Sequence, residues 1–362
     1  MKHFEDTHKD HFAGSALTVN SGVDTQPVVS PYFVRRQKAS LTALEAVEGI
    51  LSGDITILAR AITLVESALP EHQAIAQEII TRCMPHATRS VRIGITGVPG
   101  AGKSTFIEAI GSRVVDGGRR LAVLAIDPSS ERSKGSILGD KTRMEQLSHN
   151  KDVFIRPSPA AGSLGGVARK TRETMILCEA AGFDTIFIET VGVGQSEIAV
   201  HSMVDLFLML QISGAGDELQ GIKRGIMEMA DMVVITKADG SNVDHAAMTK
   251  VQIEGALQLF PLPASGLRPK VYLTSATEGT GLDELWSAVQ AFLLNTANFD
   301  ENRAQQATYW MYETINEALS NNFYNNAKIQ AAMGQYELAV HNNQTSPFLA
   351  AKALLDLYEQ KA

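Results

Sequence analysis

One octapeptide limits the fold of this chain more than any other feature. Gly97-Val98-Pro99-Gly100-Ala101-Gly102-Lys103-Ser104 has the spacing G-x-x-x-x-G-K-[ST]. It directly follows a β-branched run, Val91–Ile95, and leads through Thr105, Phe106 and Ile107 into a helical pattern. Glycines let successive N–H groups curl around a phosphate without Cβ clashes. The helix that begins there adds positive potential. On this spacing Lys103 reaches the β- and γ-phosphates and Ser104 ligates Mg²⁺, so the unit predicts nucleotide binding.

The surrounding sequence supplies the sheet such a loop needs. Short β-branched runs alternate with helix-length segments: Val91–Ile95, Leu121–Ile126, Asp184–Ile188, Leu206–Ile212, Met232–Ile235 and Val271–Leu273. Runs apolar on both faces predict an α/β fold of the P-loop NTPase type, a mostly parallel sheet covered by helices on both faces. Four segments are expected: a flexible arm over 1–38, an N-terminal helical subdomain over 39–88, the nucleotide-binding domain over 89–296 and a C-terminal helical extension over 297–362. In the helical subdomain Asp54 is the expected N-cap, and Ile55, Leu58, Ile62, Val65 and Leu69 make one apolar stripe that Pro70 ends. In the extension Ala307, Met311, Ile315, Leu319 and Phe323 recur every four residues, an apolar face expected to pack on the main domain or on a second copy.

Ligands in parallel sheets bind beyond the C-terminal strand ends, and the remaining motifs fall there. Asp127 and Glu189 end two strands, where an acid can hold Mg²⁺ or its waters. Gly192, in Glu189-Thr190-Val191-Gly192, can offer an unobstructed N–H to the γ-phosphate. Thr236-Lys237-Ala238-Asp239 fits [NT]-K-x-D. A carboxylate there accepts from both N1–H and the exocyclic amine of guanine, a donor pair adenine lacks, which selects GTP over ATP. Thr274-Ser275-Ala276-Thr277 follows the next strand and can turn backbone N–H groups toward guanine O6.

Composition narrows the classes further. The formal charge of −8 argues against a dedicated nucleic-acid binder. No apolar run is long enough to span a membrane, and the N-terminus lacks an apolar signal core, so a cytoplasmic location is expected. Cys83 and Cys178 are too few for a disulfide framework.

Three longer stretches carry a family resemblance: Gly135-Ser136-Ile137-Leu138-Gly139-Asp140, Glu189 through Glu197, and Gly216-Asp217-Glu218-Leu219-Gln220-Gly221-Ile222-Lys223. With Ala61 to Ser67 they resemble the MeaB/ArgK-type GTPases, chaperones associated with methylmalonyl-CoA mutase. The resemblance implies a homodimer built through the C-terminal helices and slow Mg²⁺-dependent GTP hydrolysis that the partner accelerates. It also implies a role in gating adenosylcobalamin delivery to methylmalonyl-CoA mutase, or a related acyl-CoA mutase, and in protecting or reactivating it. Asp127 and Asp140 then fall in a first switch near the metal, Glu189 at the Walker B position, and Asp217, Gln220 and Lys223 in a third switch coupled to the partner. Thr236 departs from the family's more usual Asn.

Among these residues Lys103 and Mg²⁺ compensate phosphate charge, Asp127 is the first candidate for orienting water, and Lys223 for a partner-organised cation. A nickel-insertion GTPase and a small-molecule kinase are the alternatives. No D-x-H-x-x-G cobalamin signature occurs, so the chain is expected to bind GTP or GDP but not cobalamin itself.

Overall fold

A computed structural model of the chain describes residues 41–127, 144–159, 164–190, 196–214, 224–263, 265–295 and 299–359. Among them β1 (Val91–Gly97), β2 (Leu121–Asp127), β3 (Val153–Pro159), β4 (Thr185–Thr190), β5 (Leu206–Ile212), β6 (Met232–Thr236) and β7 (Lys270–Leu273) form one sheet. Its order is β3-β2-β4-β1-β5-β6-β7, and every pairing is parallel. β1 therefore lies at the centre, with β4 and β5 as its neighbours.

The sequence predicts six of these strands and omits β3. Arg156, Pro157 and Pro159 break its apolar run. The fold tolerates them because β3 is an edge strand, where a missing N–H costs no ladder bond on the open side.

Ten further α-helices follow α1 (Ala43–Leu51), α2 (Ile55–Glu66) and α3 (Pro70–Cys83) among the described residues: α4 (Lys103–Asp116), α5 (Glu145–Ser148), α6 (Leu164–Ala180), α7 (Ser196–His201), α8 (Arg224–Met229), α9 (Val243–Leu257), α10 (Leu282–Asn295), α11 (Phe299–Tyr324), α12 (Ala327–His341) and α13 (Pro347–Glu359). They cover both sheet faces, as a sheet without a polar side requires. On one face Ile93, Ile95, Leu208 and Leu210 pack with Phe106 and Ile107 of α4 and Leu282 and Leu285 of α10. On the other, Ile186, Ile188 and Phe207 join the apolar sides of α1–α3, α6 and α7.

Asp54 caps α2 as expected, accepting from Thr56 N at 2.7 Å and Ile57 N at 3.1 Å. The stripe it introduces ends at Val65, because α2 stops at Glu66. Leu69 is exposed, and Pro70 opens α3 instead of ending the preceding helix, the first-turn position where its missing N–H is harmless. Glu66 is held by Arg156 of β3, and its carbonyl accepts from Lys170 Nζ at 2.7 Å.

At the N-terminal ends of the central strands β1 and β5, α11 is clamped in place. Arg303 donates to both oxygens of Asp205, at 2.9 and 2.7 Å, and to Ser90 O at 2.6 Å. Asp205 also accepts from Arg92 N at 2.8 Å, and Trp310 Nε1 donates to Ser202 O at 3.1 Å. Trp310 is buried, whereas Met311, Ile315 and Leu319 are exposed in the single chain. α12 has no counterpart in the sequence reading, since its apolar residues make no sustained stripe.

Candidate functional site

The phosphate loop is built where β1 meets α4. Gly97 approaches β5 so closely that a Cβ would lie 2.6 Å from Leu210 O. Gly100 and Gly102 have φ of +81° and +78°, the left-handed region that disfavours side chains. Gly102 is the N-cap of α4, yet no side chain caps that helix. The first N–H groups of α4 thus lack an intrahelical or side-chain acceptor, which is the donor arrangement an anion fills. Val98, Pro99 and Ala101 complete the loop, closed by Ala101 N donating to Val98 O at 3.1 Å. Thr105 stands in the first turn of α4.

Lys103 Nζ folds back on the loop and donates to Gly97 O at 3.0 Å. Burial pulls its ammonium below the usual lysine range, against the attraction of the Glu189 and Glu197 carboxylates. A triphosphate would relieve that desolvation. Ser104 Oγ lies 3.5 Å from Glu189 Oε1. A hydroxyl and a carboxylate converging beside a phosphate cradle are hard oxygen donors that fit Mg²⁺.

Glu189, the next-to-last residue of β4, lies beside β1 in register with Ile95. The backbone of Asp127 ends β2 on the other side of β4, one step beyond the Ile126–Thr190 pair. The two acids therefore stand on neighbouring strand ends. The side chain of Asp127, and all of Asp140, Gly192, Asp217, Gln220 and Lys223, lie outside the described residues.

The base side forms at β6 and β7. Asp239 Oδ2 accepts from Ser275 Oγ and, at 3.0 Å, from Thr277 Oγ1. These bonds, with the nearby Lys237 charge, hold the Asp239 carboxyl below the usual range. It is then a carboxylate acceptor at any neutral pH. Lys237 has φ +57°, and its Cε passes within 3.8 Å of the Cβ position of Gly102, so its stem runs over the phosphate loop. Ala238 N bonds Thr274 O at 3.0 Å, which fixes the two base-side segments together. Ser275 N is already donated to Thr280 O at 3.0 Å. The amides of Ala276 and Thr277 are the ones left to face a base oxygen.

Thr236 joins the halves. Its hydroxyl, buried at the end of β6, lies 2.7 Å from Ala101 O in the phosphate loop and 3.0 Å from Gln211 O of β5. The sequence marks Thr236 as part of the base motif but gives no sign of this bond, which needs the β5–β6 register to bring the strands together. The hydroxyl contacts of Ser275 and Thr277 are equally invisible at that level, as is a buried hydroxyl pair in which Thr190 donates to Thr96 at 2.9 Å. Among the described residues no group of three or more His, Cys, Asp and Glu side chains is arranged to hold a metal, and no helix is long and apolar enough to cross a membrane.

Comparison with known proteins gives a consistent picture. Residues 58–328 match the family model described as methylmalonyl Co-A mutase-associated GTPase MeaB. The GTPase ArgK of Escherichia coli is 43% identical over 321 residues, 88% of this chain and 97% of that protein. The mouse methylmalonic aciduria type A homolog, mitochondrial, is 43% identical over 326 residues, 86% of this chain and 79% of that protein. A crystal structure described as LAO/AO transport system kinase superposes with a TM-score of 0.71 at 37% identity, covering 89% of this chain and all of the other.

Proposed function

The chain belongs to the family of methylmalonyl Co-A mutase-associated GTPases, and from that membership we propose that it is a GTP-driven chaperone for a cobalamin-dependent acyl-CoA mutase. The chain is a GTPase. The finer reading is that GTP hydrolysis gates adenosylcobalamin delivery to methylmalonyl-CoA mutase, or a related mutase, and protects or reactivates it. The observation that carries the nucleotide half is the Thr236 bond to Ala101 O, because it makes the phosphate cradle and the base reader one unit.

In this reading the α4 amides and Lys103 bind the β- and γ-phosphates, Lys103 exchanging Gly97 O for a phosphate oxygen. Asp239 accepts from the guanine N1–H and exocyclic amine while the Lys237 stem covers the base. Ser104, Glu189 and Asp127 would hold Mg²⁺, with Asp140 near it. When bound, the ion supplies charge compensation at the transferring phosphoryl group. Asp127 is proposed to orient the attacking water, and Gly192 to offer its N–H to the γ-phosphate. Asp217, Gln220 and Lys223 are proposed to couple the partner to the site, as their motif in the family suggests.

The exposed apolar side of α11, with Met311, Ile315 and Leu319, supports a homodimer formed through the C-terminal helices. A lone chain seldom leaves such a row in water. The test is co-purification with methylmalonyl-CoA mutase and with isobutyryl-CoA mutase, followed by GTPase assays with and without each. Stimulated hydrolysis with one of them supports the reading. Phosphate transfer to an acceptor other than water, or no complex with either, rejects it. Lys223→Ala is expected to retain basal hydrolysis and lose partner stimulation.

A further inference from the structure

A polar layer is buried behind the phosphate loop, on the sheet face opposite α4. Its position follows from one close contact. A Cβ on Gly94 of β1 would sit 2.7 Å from Phe207 Cδ2 and 2.9 Å from Val200 Cγ1, so the missing side chain lets α7 press directly on β1. Because β4 and β5 are parallel, the chain between them must return to the end of the sheet where the strands begin, and α7 descends as β1 rises. Glu197 precedes Val200 by three residues and shares its helix face. It therefore lies one turn higher, level with Thr96, which is two residues beyond Gly94 and points to the same side of β1.

Glu197 is completely buried, at 0% exposure. Around this level the Thr190 hydroxyl donates to Thr96, and the amide nitrogen of buried Gln211 has no hydrogen-bond partner among the described residues. A carboxylate is costly to bury unless a charge or donors compensate it. Thr96 leads directly into Gly97, whose carbonyl accepts from Lys103 Nζ at 3.0 Å, and the Glu189 and Glu197 carboxylates favour the charged form of Lys103 against its burial.

We propose that Glu197 is a positioning residue for GTP hydrolysis, a buried second counter-charge that ties α7 to Lys103. It rests on the reading that Lys103 contacts the triphosphate. When γ-phosphate draws Lys103, the pull on Glu197 changes, and α7 lies immediately after the Glu189–Gly192 motif. Glu197 thus links occupancy of the phosphate site to the helix on the other sheet face.

The test is Glu197→Gln in the full-length protein. Removing a negative charge near an anion site lowers the direct Coulombic repulsion that the phosphates meet. GTP and GDP affinities are therefore expected to hold or tighten up to severalfold, while kcat falls at least tenfold; Glu197→Asp, which keeps the charge, recovers part of that loss. A merely structural role would instead lower the melting temperature and weaken both nucleotides together. That result, or a kcat within twofold of wild type, overturns the proposal. Amide exchange in the wild type keeps the test open even if the variant misfolds. A non-hydrolysable GTP analogue is expected to change protection over residues 196–201 relative to GDP, and equal protection overturns the coupling. If the wild type binds neither nucleotide, the Lys103 reading fails instead.

Discussion

Replacing Thr236 by Val keeps the shape of the side chain and exchanges the hydroxyl, with its donor proton, for a methyl group. That proton is shared between Ala101 O at 2.7 Å and Gln211 O at 3.0 Å, so the loss is one hydrogen bond and not two. Thr236 and Ala101 are 4% and 1% exposed, so water cannot easily replace the donor. An unsatisfied buried acceptor costs about 1–3 kcal/mol. For a domain of this size that corresponds to a melting temperature lower by roughly 2–8 °C. Because the bond fixes the phosphate loop for any nucleotide, GTP and GDP affinities are expected to fall by a common factor. If the whole cost were felt in binding, that factor would be about 5–150, at 1.4 kcal/mol per decade. kcat is expected to change little, since ground state and transition state lose the same support. Thr236→Asn, whose amide can donate in the same direction, is expected to retain affinity. Calorimetric titration with both nucleotides, differential scanning calorimetry and single-turnover hydrolysis measure the three quantities. Unchanged affinity for both nucleotides in Thr236→Val, or a selective loss for one, refutes the reasoning.

Asp239→Ala is expected to erase most of the preference for GTP over ATP, about a hundredfold or more, because the site no longer accepts from the guanine donor pair; competition titrations with both nucleotides decide it. The carboxyl of Asp239 sits below its ordinary value through Ser275 and Thr277, so GTP binding should hold above the ordinary carboxylate pKa and weaken only as pH falls through the depressed value. Asp231 behaves in the opposite sense: burial raises it to about 6 despite the Phe207 N–H it accepts at 2.9 Å. The folded state therefore holds this proton more tightly, and the resulting stability is present at low pH and lost as pH rises through about 6. Asp231→Asn should be more stable than wild type at pH 8, by up to about 3 kcal/mol, with the gain vanishing near pH 4; melts at both pH values check this. Leu319→Lys, on the exposed side of α11, is expected to yield a monomer by sedimentation if the C-terminal helices form the dimer, and an unaltered dimer refutes that interface.

The central architecture was legible because its signals are local. A glycine loop between a β-branched run and a helix can sit in few folds, and strands buried on both faces declare themselves as unbroken apolar runs. Asp54 was equally plain, since an N-cap acts within three residues. What stayed hidden depends on neighbours distant in sequence. β3 contains two prolines that only an edge position tolerates. Pro70 can end one helix or begin the next, and the register of Glu66 against Arg156 and Lys170 settles the matter. Val200 facing Gly94, Thr190 facing Thr96 and Thr236 facing Ala101 all follow from strand order, which the motifs do not encode. The expected roles of Asp140, Gly192, Asp217, Gln220 and Lys223 fall outside the described residues and rest on the family pattern.

The Arg303 clamp fastens the central strand at one end. Ser90 and Arg92 are held at its foot, together with Asp205 at the foot of β5, and the glycine cradle opens at its head. A hydrogen-bonded strand of seven residues spans about 23 Å and stretches little. A subunit or client that twisted α11 would therefore be pulling on the base of the same rod that carries the phosphate site at its tip. Mechanical load on the C-terminal helices and occupancy of the nucleotide site would then be two readings of one strain.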